Sequence, residues 1–123
     1  MPSDSDYSID TQIRYGPLEM IDVAAIAASM QPWSNQSLCK VNESVVRLGV
    51  IEGDFHWHAH EHEDEWFYVL EGRLMIDLRD REPVVLTPGR SFLVPRRVEH
   101  RTRAEGRTVI LMVEAASVSP TGD

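Results

Sequence analysis

From Ser44 onward the apolar residues gather into short runs, SVVRLGVI, EWFYVLE, RLMIDL, PVVL, SFLV and RTVILMVE, with turn residues between them. Runs recurring at intervals of roughly ten residues and rich in Val, Ile, Leu and Phe predict an all-β sandwich or barrel. The earlier part of the chain reads differently. Residues 1–20 are polar and broken by Pro2, Gly16 and Pro17, which predicts a loosely held arm. Asp22 is an N-cap candidate for a short helix over VAAIAASM, which must end before Pro32. The expected organisation is therefore an arm and helix over 1–40, a barrel over 41–114 and a tail over 115–123.

The LEGRL junction predicts a hairpin. With Glu71-Gly72 as a two-residue turn, Val69 pairs with Leu74, Phe67 with Ile76 and Glu65 with Leu78, and opposed residues share a face. One face then carries Glu65, Phe67, Val69, Leu74, Ile76 and Leu78, an apolar interior with a carboxylate at one end. A buried carboxylate costs several kcal/mol unless a cation meets it, and a metal ion is one such cation. The opposite face, Trp66, Tyr68, Leu70 and Met75, is apolar enough to predict a second sheet or a second subunit.

Composition narrows the function classes. A chain of 123 residues and 14.0 kDa, 42% hydrophobic and 26% charged, suits one globular domain. A net charge of −8 argues against nucleic acid, which needs a basic face. The longest apolar run, Val23 to Ala28, is six residues, too short to span a membrane, and MPSDSDYS lacks the regions of a signal peptide. A cytoplasmic protein is the expectation. The lone Cys39 has no neighbour to suggest disulfide, metal or redox work.

The strongest chemical signal is FHWHAHEHEDEWFYVLEG, from Phe55 to Gly72. It sets His56, His58, His60 and His62 at alternate positions, on one face if the strand runs straight. Two imidazoles at that spacing can grip one ion, and a third imidazole with a carboxylate from neighbouring strands would complete a cage. The alternative is a solvated histidine-rich edge with adventitious metal affinity.

Two motifs resemble those of the cupin superfamily. The first, G-x(5)-H-x-H-x(3,4)-E-x(6)-G, is met by GDFHWHAHEHEDEWFYVLEG, with His58 and His60 as the pair, four residues before Glu65 and six more before Gly72. Pairing His56 with His58 puts Leu70 where glycine belongs, and pairing His60 with His62 brings Glu65 too close. The one departure is four residues, rather than five, between Gly53 and His58. The second motif, G-x(5)-P-x-G-x(2)-H-x(3)-N, is met by GRSFLVPRRVEHRTRA through Gly89, Pro95 and His100, with Arg97 in place of glycine and Ala104 in place of asparagine. The resemblance covers about residues 41–114, and the overall look is similar to small cupins called mannose-6-phosphate isomerase-like.

The resemblance implies a double-stranded β-helix, a jelly-roll-like barrel, often dimeric, with its site inside. It implies a metal centre of His58, His60, Glu65 and His100. Such donors suit one divalent transition ion, Mn, Fe, Co, Ni or Zn, and leave two positions open on an octahedral ion for substrate, water or dioxygen. No motif position claims His56 or His62, which are expected to support the site or lie on the surface.

Arg96, Arg97, Arg101, Arg103 and Arg107 crowd the second motif; they either grip an anionic ligand or offset Glu61, Glu63 and Asp64. Trp33 and Trp57 either cap a pocket or pack. The functional expectation is a metal centre acting on or binding a small organic acid or sugar, with dioxygenase- and isomerase-type chemistry both open. A binding or sensing module and a purely structural metal are the alternatives. Lys40 lies outside both motifs, which weighs against isomerisation by a lysine base, and Tyr68, His56 and Glu99 remain as unassigned bases. A homodimer is the expected assembly.

Overall fold

The computed structural model describes residues 7–118. In chain order the elements are β1 (Ser8–Asp10), α1 (Val23–Ala28), β2 (Ser34–Val41), β3 (Ser44–Asp54), β4 (Glu65–Glu71), β5 (Leu74–Leu78), β6 (Val84–Leu86), β7 (Ser91–Val94) and β8 (His100–Ala115). The helix begins where expected, with Asp22 Oδ1 accepting from the Ala25 amide at 3.0 Å. Six residues are too few to hold a helix alone. Burial of Ile26 and Ala27 against Leu38, Leu48, Val50 and Val109 holds it to the sheet.

The strands form one sheet in the order β1-β2-β3-β8-β4-β7, with β5 joining β8 to β6. The N-terminal span thus contributes more than an arm and a helix. β2 pairs antiparallel with β3, and β1 adds to β2 in parallel. No helix among the described residues is long and apolar enough to cross a membrane.

The LEGRL hairpin does not form. β4 lies along Val109–Glu114 of β8, and β5 lies along His100–Ala104 of the same strand. The chain carries on past Glu71-Gly72 along one edge of β8 instead of folding back. Gly72 sits at that corner with φ +88°, and a Cβ there would lie 2.5 Å from Thr108 Oγ1 and 2.6 Å from the Arg107 carbonyl. The facing pattern survives, because a register shift between Val69 and Glu71 flips the alternation as a hairpin turn would. Phe67, Val69, Leu74 and Ile76 line the interior with Ile51, Leu86, Val94, Ile110 and Met112. On the other face, Trp66 and Tyr68 stack at 5.7 Å and are half-buried, Leu70 is exposed, and Met75 is buried within the subunit.

Candidate metal centre

The histidine ladder is not a regular strand. Between β3 and β4 the chain is irregular, held by a reciprocal backbone pair between His58 and His100, both at 2.9 Å, and by the Arg97 amide donating to the His60 carbonyl at 2.8 Å. That path turns His58 and His60 inward beside His100 at the start of β8 and Glu65 at the start of β4. One donor atom from each of the four lies within 4.8 Å of the others, and His60, Glu65 and His100 are buried. His62 is exposed, and His56 turns its ring toward Phe55, 4.0 Å away between centroids.

Hydrogen bonds fix which nitrogens face the centre. A carbonyl can only accept, so His58 Nδ1–H donates to the His56 carbonyl and His100 Nδ1–H to the Val98 carbonyl, each at 3.0 Å. This leaves Nε2 of both rings directed inward, the arrangement that locks a metal-binding tautomer. Burial, reinforced by the neighbouring His100, pushes the His58 pKa down to about 4, so the ring is neutral. For Glu65, burial acts to raise the pKa, but the His100 and His60 imidazoles beside it override that and hold the carboxyl well below the usual range. Both Nε2 atoms approach Glu65 Oε1 at 3.3 Å.

Nitrogen lone pairs and a carboxylate oxygen crowded together need a cation among them. Ligands opposite each other on an ion at about 2.1 Å per bond stand roughly 4.2 Å apart, so this set closes on a transition metal with small shifts. The donor types and their ionisation states fit such an ion.

Two inward charges lie beyond the four donors. Glu65 and Glu114 are direct partners across β4 and β8, and Arg47 of β3 binds Glu114 Oε1 through Nη1 at 2.6 Å. Arg47 also donates to Ser37 Oγ at 3.3 Å and to the Val118 carbonyl at 2.9 Å. Burial, and then the Glu65 charge, push the Glu114 pKa upward against the pull of Arg47. A neutral Glu114 leaves Arg47 and Glu65 as one positive and one negative charge. A polar row, Ser37–Arg47–Glu114–Glu65, thus crosses from β2 to the histidines. The sequence held its signal: Arg47 interrupts the apolar run SVVRLGVI and Glu114 closes the run RTVILMVE, both at inward parity.

Above the centre lies a chamber of about 20 Å³ lined by Tyr7, Trp33, Ile51, Phe55, His58, Glu65, Phe67, Thr102, Ile110 and Met112. Tyr7 was hidden in the polar N-terminal span. None of the five arginines lines this space. Arg96 pairs with Asp64 at 3.3 Å and Arg97 with Glu61 at 3.4 Å, while Arg101 and Arg103 share Asp77 and Arg107 holds Glu71. Trp33 lines the chamber, whereas Trp57 lies under the Arg79 guanidinium at 3.7 Å. Tyr68 belongs to the outer face, and Glu99 pairs with Arg79. Arg97 adopts φ +67°, a backbone conformation that suits the glycine found there in the motif.

The Cupin domain family model matches residues 44–114. The protein YdbB of Bacillus subtilis, itself uncharacterised, is 44% identical over 97 residues, covering 78% of this chain and 86% of YdbB. The crystal structure of a cupin-2 domain containing protein from Shewanella frigidimarina superposes with a TM-score of 0.72 at 31% identity, covering 78% of this chain and 93% of that one. A Ralstonia eutropha protein provisionally described as a mannose-6-phosphate isomerase superposes at 0.59 with 26% identity, covering 66% of this chain and 82% of that one. The matched span holds both motifs and all four converging side chains, and the chain belongs to the cupin family.

Proposed function

We propose that His58, His60, Glu65 and His100 hold one divalent transition ion and that the centre binds a small organic acid or sugar through oxygen. The observation that carries this is the convergence of four buried or half-buried donors, two of them fixed by Nδ1–H bonds to backbone carbonyls. When bound, such an ion supplies Lewis-acid polarisation of an oxygen donor. His58 and His100 present Nε2, Glu65 supplies the compensating negative charge, and Phe67, Ile110 and Met112 keep bulk water from the space above.

The provisional description of the Ralstonia protein suggests sugar isomerisation, which requires a base to move a proton between carbons. Tyr68 and Glu99 lie outside the chamber, His56 does not line it, and Lys40 lies on β2, paired with Val45 of β3. This supports ligand binding or oxygen chemistry over isomerisation. Metal analysis of protein purified without added metal tests the centre. We expect close to one equivalent per chain, and a chelated protein that keeps its β-sheet circular dichroism. Substoichiometric metal that washes out in buffer alone would defeat the reading, and collapse of the fold on chelation would favour a structural metal.

A further inference from the structure

The chamber beside His58 and Glu65 is walled in part by two aromatic side chains from outside the matched domain, Tyr7 and Trp33. Tyr7 packs edge-on against Trp33 at 5.4 Å and Phe55 at 5.7 Å, and those two rings stack at 5.8 Å. Phe55 in turn meets the His58 ring at 5.5 Å. The Tyr7 hydroxyl is buried deeply enough to raise its pKa to about 12, with the charges of Glu65 and Glu114 acting in the same direction. The remaining space, about 20 Å³, has room for roughly one water. An organic acid or sugar of several heavy atoms does not fit beside the Tyr7 ring.

The segment that carries this ring is lightly held. β1 has three residues, pairs only with β2 along the edge of the sheet, and leaves Ser8 and Asp10 exposed with Ile9 half-buried. Elements with few buried contacts open locally at low cost. Against the Tyr7 hydroxyl lies Asn35, 2% exposed, whose amide interacts with that hydroxyl and opposes the rise in its pKa, although no hydrogen bond of full geometry closes on either of its polar atoms. A buried amide left in that state costs free energy that a hydrogen-bonding ligand would recover.

We propose that Tyr7 is a size gate over the metal centre: with its ring in place only ligands of two or three atoms in line, such as azide, or water itself reach the ion, and a larger organic ligand enters by displacing the ring and bonding to Asn35. The proposal rests on the metal-centre reading above. It makes Tyr7 and Asn35 determinants of specificity that lie outside both motifs.

The test uses the Co(II)-loaded full chain, with azide as the small probe and benzoate and succinate as the large ones, followed by the cobalt absorption spectrum and by Trp33-sensitive emission. If the open form is a minor state, populated at about 10% or less, Tyr7→Ala tightens binding of at least one carboxylate about tenfold or more and leaves azide nearly unchanged. Tyr7→Phe keeps the ring and keeps the discrimination. Asn35→Leu weakens the carboxylate that Tyr7→Ala favours. In the unmodified protein, a result independent of how any variant folds, the observed rate of carboxylate binding saturates with concentration because ring opening limits it, while that of azide rises linearly. Linear rates for both probes, or equal effects of Tyr7→Ala on both, overturn the gate while leaving the metal centre standing. Failure to take up cobalt, or a spectrum indifferent to azide, overturns the metal reading and the gate with it.

Discussion

Glu65 and Glu114 face each other directly across β4 and β8, both sealed from solvent, with the histidines beside one and Arg47 bound to the other. Two buried carboxylates in contact cannot both ionise cheaply. The arrangement assigns the negative charge to Glu65 and the proton to Glu114. Glu114→Gln, which preserves shape and a donor-acceptor pair, should then leave the metal-free protein as stable or more stable at neutral pH. If Glu114 were instead the ionised partner of Arg47, the same change would cost about 3–5 kcal/mol, the usual loss when one member of a buried pair is removed. Urea unfolding of the two proteins separates these outcomes.

The pH dependence of the metal-free protein follows from the same groups. Folded Glu114 keeps a proton that the unfolded chain sheds above about pH 4.3, so this group lowers stability by up to about 1.4 kcal/mol per pH unit as pH rises. His58 acts the other way between pH 4 and pH 6.5, where the unfolded ring is protonated and the folded ring is not; its contribution is complete above that window. The depressed pKa of Glu65 adds stability that is lost as pH falls below the ordinary carboxylate range. Stability should therefore rise from acid, level off while Glu114 and His58 oppose each other, and decline above about pH 6.5. Glu114→Gln should remove the alkaline decline; an unchanged slope in that variant would show that another group causes it.

The motif glycines should differ sharply in tolerance. Gly72 and Gly89 both have φ near +90°, but a Cβ on Gly72 meets Thr108 at 2.5 Å, whereas nothing lies within 4 Å of one on Gly89. Gly89→Ala should cost about 1–2 kcal/mol for the left-handed backbone alone. Gly72→Ala adds overpacking against β8, about 1–3 kcal/mol more. Equal melting temperatures for the two variants would contradict the corner geometry.

Why the four converging side chains were legible in the sequence but their surroundings were not follows from the same strands. The interior face of β4 and β5 could be read because alternation survives both a hairpin and a register shift, and that equivalence is why the pairing could not be read. Only the length of β8, 16 residues, lets it serve both strands on one edge, and no local pattern announces a shared partner. β2 escaped notice because its inward residues include Asn35 and Ser37, polar side chains that serve Tyr7 and Arg47 and break the apolar alternation a strand normally shows. Tyr7 escaped because three residues of edge strand carry no periodicity at all.

The expected homodimer remains a proposal, and its surface is smaller than the alternation suggested. Met75 is buried within the subunit, which leaves the stacked Trp66 and Tyr68 pair with exposed Leu70 and Leu93. Light scattering at micromolar concentration should give twice the chain mass of 14.0 kDa. Trp66→Glu should shift it toward the monomer, and a monomer in the unmodified protein would end the proposal.

The proposed ligand set has the most direct test, because the chain carries its own control in the two histidines that alternate with the pair. His58, His60, Glu65 and His100 converge, while His62 is exposed and His56 packs on Phe55. Alanine at any of the four should lower bound metal about 10- to 100-fold or more, at least the loss typical of disturbing groups that orient a ligand. His62→Ala should bind metal as the parent does. His56→Ala is the more demanding control, because the His56 ring meets the His58 ring edge-on at 5.3 Å, while the hydrogen bond that orients His58 is accepted by the His56 carbonyl, which alanine retains. It should therefore keep its metal despite lying two residues from a ligand. Loss of metal from His56→Ala as complete as that from His100→Ala, in a protein that still shows the parent circular dichroism, would mean that the histidine register is wrong.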